Sequence, residues 1–293
     1  MTKIRKAVFP VAGLGTRVLP ATKSIPKEML PVFDRPAIQH VVDEARDAGI
    51  EHFVFVTGRN KGAIEDYFDR AYELEDTLRM KSKTDILEEL ESELPAPGSM
   101  SFVRQQAPLG LGHAIWCARD VIGNEPFAIL LPDVIVKGSP SCLAQMNAAY
   151  SEVGGNIIAV EKVAREDVTK YGIIAPDGAP RADGLVRMTG MVEKPAVEEA
   201  PSQLSITGRY ILEPEIFQLL ADQGAGAGGE IQLTDAMARL MEASSFHALE
   251  YKGVSYDCGS KVGYLQATVA FALSDAKFGA EARATVERLL AGR

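Results

Sequence analysis

The first apolar run, Ala7 to Ala12 (AVFPVA), is short and stops at Gly13-Leu14-Gly15, the pattern of a buried strand that feeds a loop. From Pro36 the apolar positions Ile38, Val41, Val42 and Ala45 keep helical spacing until Gly49 ends them. His52 to Thr57 (HFVFVT) predicts a second strand, and Ile64, Tyr67 and Phe68 a helix after it. Met100 to Val103 and Phe127 to Leu131 read as further strands, with a helical pattern at Ala114 to Val121 between them. Strand and helix alternating in this way predict an α/β fold: a doubly wound, mainly parallel sheet with helices on both faces.

Beyond residue 135 the rhythm changes. Asn156 to Val160, Tyr171 to Ala175, Leu185 to Val192 and Ser205 to Leu212 read as strands with little helix between them, and Pro176-Asp177-Gly178 is a ready turn. A hairpin or mixed-sheet region is expected here, so the whole is expected to be a Rossmann-like, mixed but mainly parallel sheet with a smaller β-rich region. Helical periodicity returns at Thr234 to Met241 and from Val262 to the C-terminus. The charged stretch Glu73 to Glu93, with Leu74, Leu78, Ile86, Leu87 and Leu90 interspersed, predicts a partly exposed helical excursion. Gly224 to Gly229 (GAGAGG) predicts a mobile loop too short to separate domains.

Composition narrows the function classes. The chain of 293 residues carries a net charge of −9, which argues against a general nucleic-acid binder. An anionic substrate would then need a few basic residues gathered in one pocket. Cys117, Cys142 and Cys258 form neither a CxxC pair nor an even set, so they read as reduced thiols, and a cytoplasmic location is expected. No stretch is long and apolar enough for a signal segment or a membrane span.

The densest chemical signal is Gly13 to Pro31 (GLGTRVLPATKSIPKEMLP). Gly13 and Gly15 let backbone N–H groups approach an anion, Arg17 adds a planar fork, and Lys27 adds a compact charge. Gly-x-Gly alone fits a surface turn equally well. It is neither a Walker loop nor a dinucleotide fingerprint, because Val18 holds the third glycine position. Strand, glycine loop, Arg17, Lys23 and Lys27 together favour a phosphate site. Asp133 ends the apolar run FAILLPD, and Asp257 lies in a similar loop, YDCG. Each alone fits a cap or turn; as a pair they suit Mg²⁺.

GLGTRVLPATKSIPKEMLPV resembles the signature of the sugar-phosphate nucleotidyltransferases, in the long form of the branch that uses UTP and glucose 1-phosphate. VRQQAPLGLGH (Val103–His113), LLPDV, Tyr171-Gly172, VEKP, TGRY, EIQLTD and YDCGSK follow in that family's order, from about residue 4 to residue 275. The resemblance implies a nucleotide-diphospho-sugar transferase fold: one domain over 1–275, with a nucleotide half at 1–135 and a sugar-phosphate half at 136–260. The helical segment 262–293 is then a possible subunit contact, in a homodimer or homotetramer.

The resemblance also implies roles. Ala12, Gly13, Leu14, Gly15, Thr16, Arg17 and Lys27 would hold the triphosphate, and Gln105 and Gly110 would read the uracil. Gly172, Glu193, Lys194 and Gly208 would take the sugar phosphate, and Asp133 and Asp257 the Mg²⁺. Without the family, Gln105 and Gly110 fit a polar loop, Gly172 and Gly208 fit turns, and Glu193-Lys194 fits an exposed strand end. His113 reads as a helix-start residue.

The implied reaction gives UDP-glucose and pyrophosphate by in-line attack on the α-phosphorus, with Arg17, Lys27 and Lys194 as its charged catalytic groups. No serine- or cysteine-based nucleophile pattern competes with that reading. The alternatives are the same chemistry on dTTP, a non-catalytic nucleotide-binding relative and a nicotinamide-dependent dehydrogenase. The second is expected to have lost Lys27, Asp133, Lys194 or Asp257, all of which are present, and the third lacks its glycine.

Overall fold

A computed structural model describes residues 3–224, 226 and 229–292; residues 225, 227 and 228 of the loop expected at 224–229 lie outside them. The chain opens with β1 (Lys6–Pro10), a two-residue pair β2 (Pro31–Val32) and β3 (Arg35–Pro36), then β4 (His52–Thr57), β5 (Met100–Arg104) and β6 (Phe127–Leu130). It continues with β7 (Val134–Lys137), β8 (Asn156–Lys162), β9 (Gly172–Pro176), β10 (Leu185–Glu193), β11 (Leu204–Leu212), β12 (Phe246–Glu250) and β13 (Val254–Asp257).

Nine of these strands form one sheet in the order β5-β4-β1-β6-β11-β8-β12-β10-β9. Its N-terminal block is parallel throughout, from β5 through β4 and β1 to β6. These strands are apolar on both faces. Ala7 and Phe9 of β1 join one core cluster and Val8 the other, and Phe53 and Phe55 of β4 are likewise separated from Val54 and Val56. That is why each reads as an unbroken apolar run. Helices Ala37–Asp47, Cys142–Val153 and Lys261–Ser274 contribute to the first cluster. Helices Leu111–Cys117, Ile216–Ala221 and Leu233–Leu240 contribute to the second.

Two expectations are corrected. The sheet is mixed, as expected, but it is not mainly parallel: parallel pairing dominates only in that N-terminal block, while β11 runs antiparallel to β6 and β8, and β10 antiparallel to β12 and β9. The β-rich region is continuous with this sheet and curls back on itself where Ser205 of β11 pairs with Ile173 of β9. The second correction concerns helix content after residue 135. Cys142–Val153 is a full helix with Leu143, Met146, Ala149 and Tyr150 buried, but small and polar residues between them blur its period in the sequence. The strands β7, β12 and β13, of five residues or fewer, also escape a periodicity reading.

Glu73–Glu93 is helical as expected, in two pieces, Tyr72–Met80 and Thr84–Glu93. The three cysteines are free. No helix among the described residues is long and apolar enough to cross a membrane.

Candidate active site

β1 has β4 on one side and β6 on the other, so strand order reverses at it, and ligands of open α/β sheets lie beyond the strand ends at such a point. The glycine loop leaves the end of β1, and Asp133 follows the end of β6. The loop folds as three short turns, Thr16–Val18, Ala21–Lys23 and Lys27–Met29. Gly15 is left-handed, with φ 67°, and Thr22 Oγ1 donates to its carbonyl at 2.7 Å. A side chain at Gly15 would also press on Thr22 and Lys27 at 3.2–3.3 Å. Below the loop, Lys61 Nζ donates to Glu28 Oε2 at 2.8 Å, and both side chains are buried. Burial pushes the Glu28 carboxyl above its ordinary value, against the pull of Lys61 and Lys27. No sequence signal marked this pair.

Asp133 draws the basic residues together. Lys27 Nζ donates to its Oδ2 at 2.6 Å and Arg17 Nη2 at 3.2 Å. Burial pushes the Asp133 carboxyl up, but the charges of Lys27 and Arg17 outweigh it and hold the group below its ordinary value. Asp257 joins from another direction. β13 pairs antiparallel with β7 so that Asp257 stands opposite Val134, and Arg17 Nη1 lies 3.9 Å from its carboxylate. An added Cβ at Gly259 would stand 2.9 Å from both Asp133 Oδ2 and Asp257 Oδ1 and 2.6 Å from Arg17 Nη2, so the two carboxylates and the guanidinium that bridges them converge on one point. Burial and these carboxylates push the Cys258 thiol up to about 12, which keeps it neutral.

Arg209 fixes the Asp133 turn from beneath. Fully buried, it donates to both carboxylate oxygens of Glu44 and to the carbonyls of Leu131 and Val134, on either side of Asp133. Beside it Gly208, at φ +77°, sits where the pairing of β11 with β8 shifts register. A Cβ there would come within 2.9 Å of Leu131, so glycine is required by packing as well as by backbone.

A cleft of about 610 Å³ runs from Arg17, Asp133 and Asp257 to Gly172, Glu193, Lys194 and Gly208. Glu193 ends β10, and Thr234 Oγ1 donates to its Oε2 at 3.3 Å. A Cβ on Gly172 would approach that same Oε2 to 3.1 Å, so the glycine makes room for the carboxylate. Lys194 has φ +47°, unusual for a residue with a side chain, and its ammonium is exposed 3.5 Å from Glu193. Ala12, Gly15, Thr16, Lys27, Gln105 and Gly110 are off this wall. Gly13 and Leu14 border a second cavity of about 540 Å³ with Lys23, Arg59 and Lys61. Gln105 lies just past β5, where its Nε2 donates to the Gly110 carbonyl at 3.0 Å. Gly110, at φ +101°, packs so closely on Glu230 and Ile231 that a Cβ would meet them at 2.7–2.8 Å.

Glu161 is the main cleft residue missed in the sequence. It closes the apolar run IIAV of β8, as Asp133 follows that of β6, and accepts from Ser255 at 2.7 and 2.9 Å. The acid-after-strand pattern was therefore available to find it.

A profile of the family described as nucleotidyl transferase matches residues 6–273. The chain belongs to the nucleotidyl transferase family. Among relatives of this family, the UTP–glucose-1-phosphate uridylyltransferase of Komagataeibacter xylinus is 52% identical over 260 residues, 88% of this chain and 90% of that protein. The UTP-bound enzyme described as UGPase from Acinetobacter baumannii superimposes with a TM-score of 0.92 at 48% identity, covering 98% of this chain and 99% of that one. A UDP-glucose pyrophosphorylase complexed with UDP-glucose gives a TM-score of 0.80 at 44% identity over 92% of this nucleotidyl transferase and 98% of that chain.

Proposed function

We propose that this cleft joins UTP to glucose 1-phosphate, releasing pyrophosphate and forming UDP-glucose. The observation that carries the reading is one continuous cleft with a carboxylate pair and Arg17 at one end and Lys194 at the other. The near full-length relatives with this activity by name support it.

The chemistry needs no side-chain nucleophile or base, because the attacking phosphate oxygen is already anionic. That oxygen bonds to the α-phosphorus, the bond to the β-phosphate oxygen breaks, and pyrophosphate leaves with the electron pair. What the protein must supply is placement of two mutually repelling anions and stabilisation of charge. Lys194 holds the sugar phosphate, Glu193 accepts from sugar hydroxyls, and Gly172 and Gly208 leave room for the ring. The loop from Ala12 to Arg17, with Lys27, holds the triphosphate and the departing pyrophosphate, while Gln105 and Gly110 meet the base. In this reading residues 1–135 form the nucleotide half and 136–260 the sugar-phosphate half of one domain spanning 1–275.

Asp133 and Asp257 are hard oxygen donors of the kind Mg²⁺ takes beside water and phosphate oxygens, and Arg17 and Lys27, which hold the two carboxylates in this structure, would have to yield them to the ion. Among the described residues no cluster of three or more His, Cys, Asp or Glu competes as a metal site. Bound there, Mg²⁺ would neutralise charge on the two phosphates. The exposed Val262, Leu265, Leu289 and Leu290 of the C-terminal helices are our candidate subunit contact, testable by sedimentation of the intact chain.

The activity is tested by incubating the protein with Mg²⁺, glucose 1-phosphate and each nucleoside triphosphate in turn, measuring pyrophosphate. Release with UTP is expected. Release with dTTP but not UTP would reassign the base, and release with none would make the protein a non-catalytic relative.

A further inference from the structure

Gln105 is buried just past β5, its backbone N–H donating to the Thr57 carbonyl, and its amide nitrogen has two hydrogens to give. Both are directed at acceptors inside the protein: the Gly110 carbonyl at 3.0 Å and His113 Nδ1 at 3.1 Å. The carbonyl can only accept, so it fixes which end of the amide points inward. His113 Nδ1 must then also accept, which puts the ring proton on Nε2. Oε1 carries neither of these bonds and is the amide atom left for a ligand.

The ring that supplies Nδ1 is itself held. His113 lies in the first turn of helix Leu111–Cys117 and stacks on Trp116 at 5.9 Å and 27°, and Trp116 in turn carries the Arg119 guanidinium 3.6 Å from its ring centre. Burial lowers the His113 pKa, which keeps the ring in the neutral form that can accept.

We propose that His113 is a positioning residue for base selection: it locks the Gln105 amide with its nitrogen inward, so that this side chain offers the base an acceptor and no donor. An acceptor suits the N3–H of uracil, whereas N3 of cytosine carries no hydrogen to give. The lock would therefore favour UTP over CTP without His113 touching the nucleotide. This rests on the proposed reading that Gln105 meets the base.

The test compares His113→Phe, which keeps an aromatic ring and loses the acceptor, with His113→Asn, whose Oδ1 can stand where Nδ1 was, and with Gln105→Ala. Steady-state kinetics are measured with UTP, CTP and glucose 1-phosphate. In His113→Phe the KM for UTP should rise about five-fold, and the preference for UTP over CTP should fall by a similar factor, as expected for loss of one hydrogen bond. The KM for glucose 1-phosphate should not move, and His113→Asn should restore both properties. If His113→Phe does not fold, His113→Ala takes its place.

Wild-type base preference in His113→Phe, alongside an impaired Gln105→Ala, would overturn the lock and leave the base reading standing. Equal impairment of His113→Phe and His113→Asn would also overturn it, because the acceptor would then be irrelevant. An unimpaired Gln105→Ala would remove the base reading itself and the lock with it.

Discussion

In the proposed reaction Lys27 and Lys194 would serve the two anionic ends, and the protein holds them in opposite ways. Lys27 is largely buried, bound to Asp133 at 2.6 Å in a loop that the buried Glu28–Lys61 pair ties down. Lys194 is 62% exposed at the cleft, on a left-handed backbone, with Glu193 3.5 Å from its ammonium. The end proposed for the triphosphate is thus assembled in advance, at the cost of burying charges that need one another. The end proposed for the sugar phosphate keeps its cation exposed, in a longer contact with Glu193 and on a strained backbone. A preformed ion pair is suited to a ligand that brings its own counter-ion, since Mg²⁺ and triphosphate can take over Asp133 and Lys27 respectively. An exposed ammonium is suited to a ligand with a single phosphate.

The largest expected effect comes from breaking the assembled end at its centre. Asp133→Asn should lower Mg²⁺-dependent turnover by more than about 1,000-fold, combining the loss of an electrostatic group with the loss of a metal ligand, while the circular dichroism spectrum stays native. Near-normal activity would remove Asp133 from the metal site.

The contrast between the lysines is sharpened by truncating each. Lys27→Ala should reduce kcat by roughly 100- to 1,000-fold and weaken UTP binding in calorimetry. Lys194→Ala should raise the KM for glucose 1-phosphate and lower kcat over a similar range, with UTP affinity unchanged. If both variants damaged both substrates equally, the two ends would not be separate sites.

Arg209→Met addresses the support of the assembled end. It leaves Glu44 buried without its partner, and urea denaturation should show a loss of about 3–5 kcal/mol. A loss below about 1 kcal/mol would mean that the turn around Asp133 does not depend on this clamp.

The smallest effect concerns how the helix Ala37–Asp47 is seated on the helix Lys261–Ser274. The His40 ring packs against Phe271 with centres 4.4 Å apart and planes tilted by 55°, its Nε2 lies 3.2 Å from the Val32 carbonyl, and burial lowers its pKa despite that contact. A folded pKa below the ordinary 6.5 means that the unfolded chain binds the proton more readily. Stability from this group is therefore complete above about pH 6.5 and declines as pH falls through the folded value. Melting temperature measured from pH 8 to 5 should slope downward on the acid side, and His40→Gln should flatten part of that slope.

The N-terminal half was legible in the sequence because its strands are buried on both faces and its signals are local. HFVFVT was delimited as β4 to the residue, and Gly15 needs its positive φ for a turn closed by Thr22, seven residues away. The antiparallel strand β11 was legible as a strand but not as a neighbour, since nothing in LSITGRYIL states that it inserts between β6 and β8. Gly208 and Gly110 were read as ligand glycines, yet each is also demanded by a packing partner far along the chain, Leu131 and Ile231. Glu161 went unseen although it ends an apolar run as Asp133 nearly does.

By itself, then, the sequence determined the chemical inventory: a glycine loop with Arg17 and Lys27, two carboxylates after apolar runs, and Glu-Lys at a strand end. It did so because backbone conformation, periodicity and charge are properties of short segments. Tertiary structure alone decided that Asp257 stands across from Asp133, that Arg209 fixes the turn between Leu131 and Val134, and that one lysine is paired while the other waits. Those facts depend on strand order and register, which are set by how distant apolar faces pack together, and no local pattern encodes that choice.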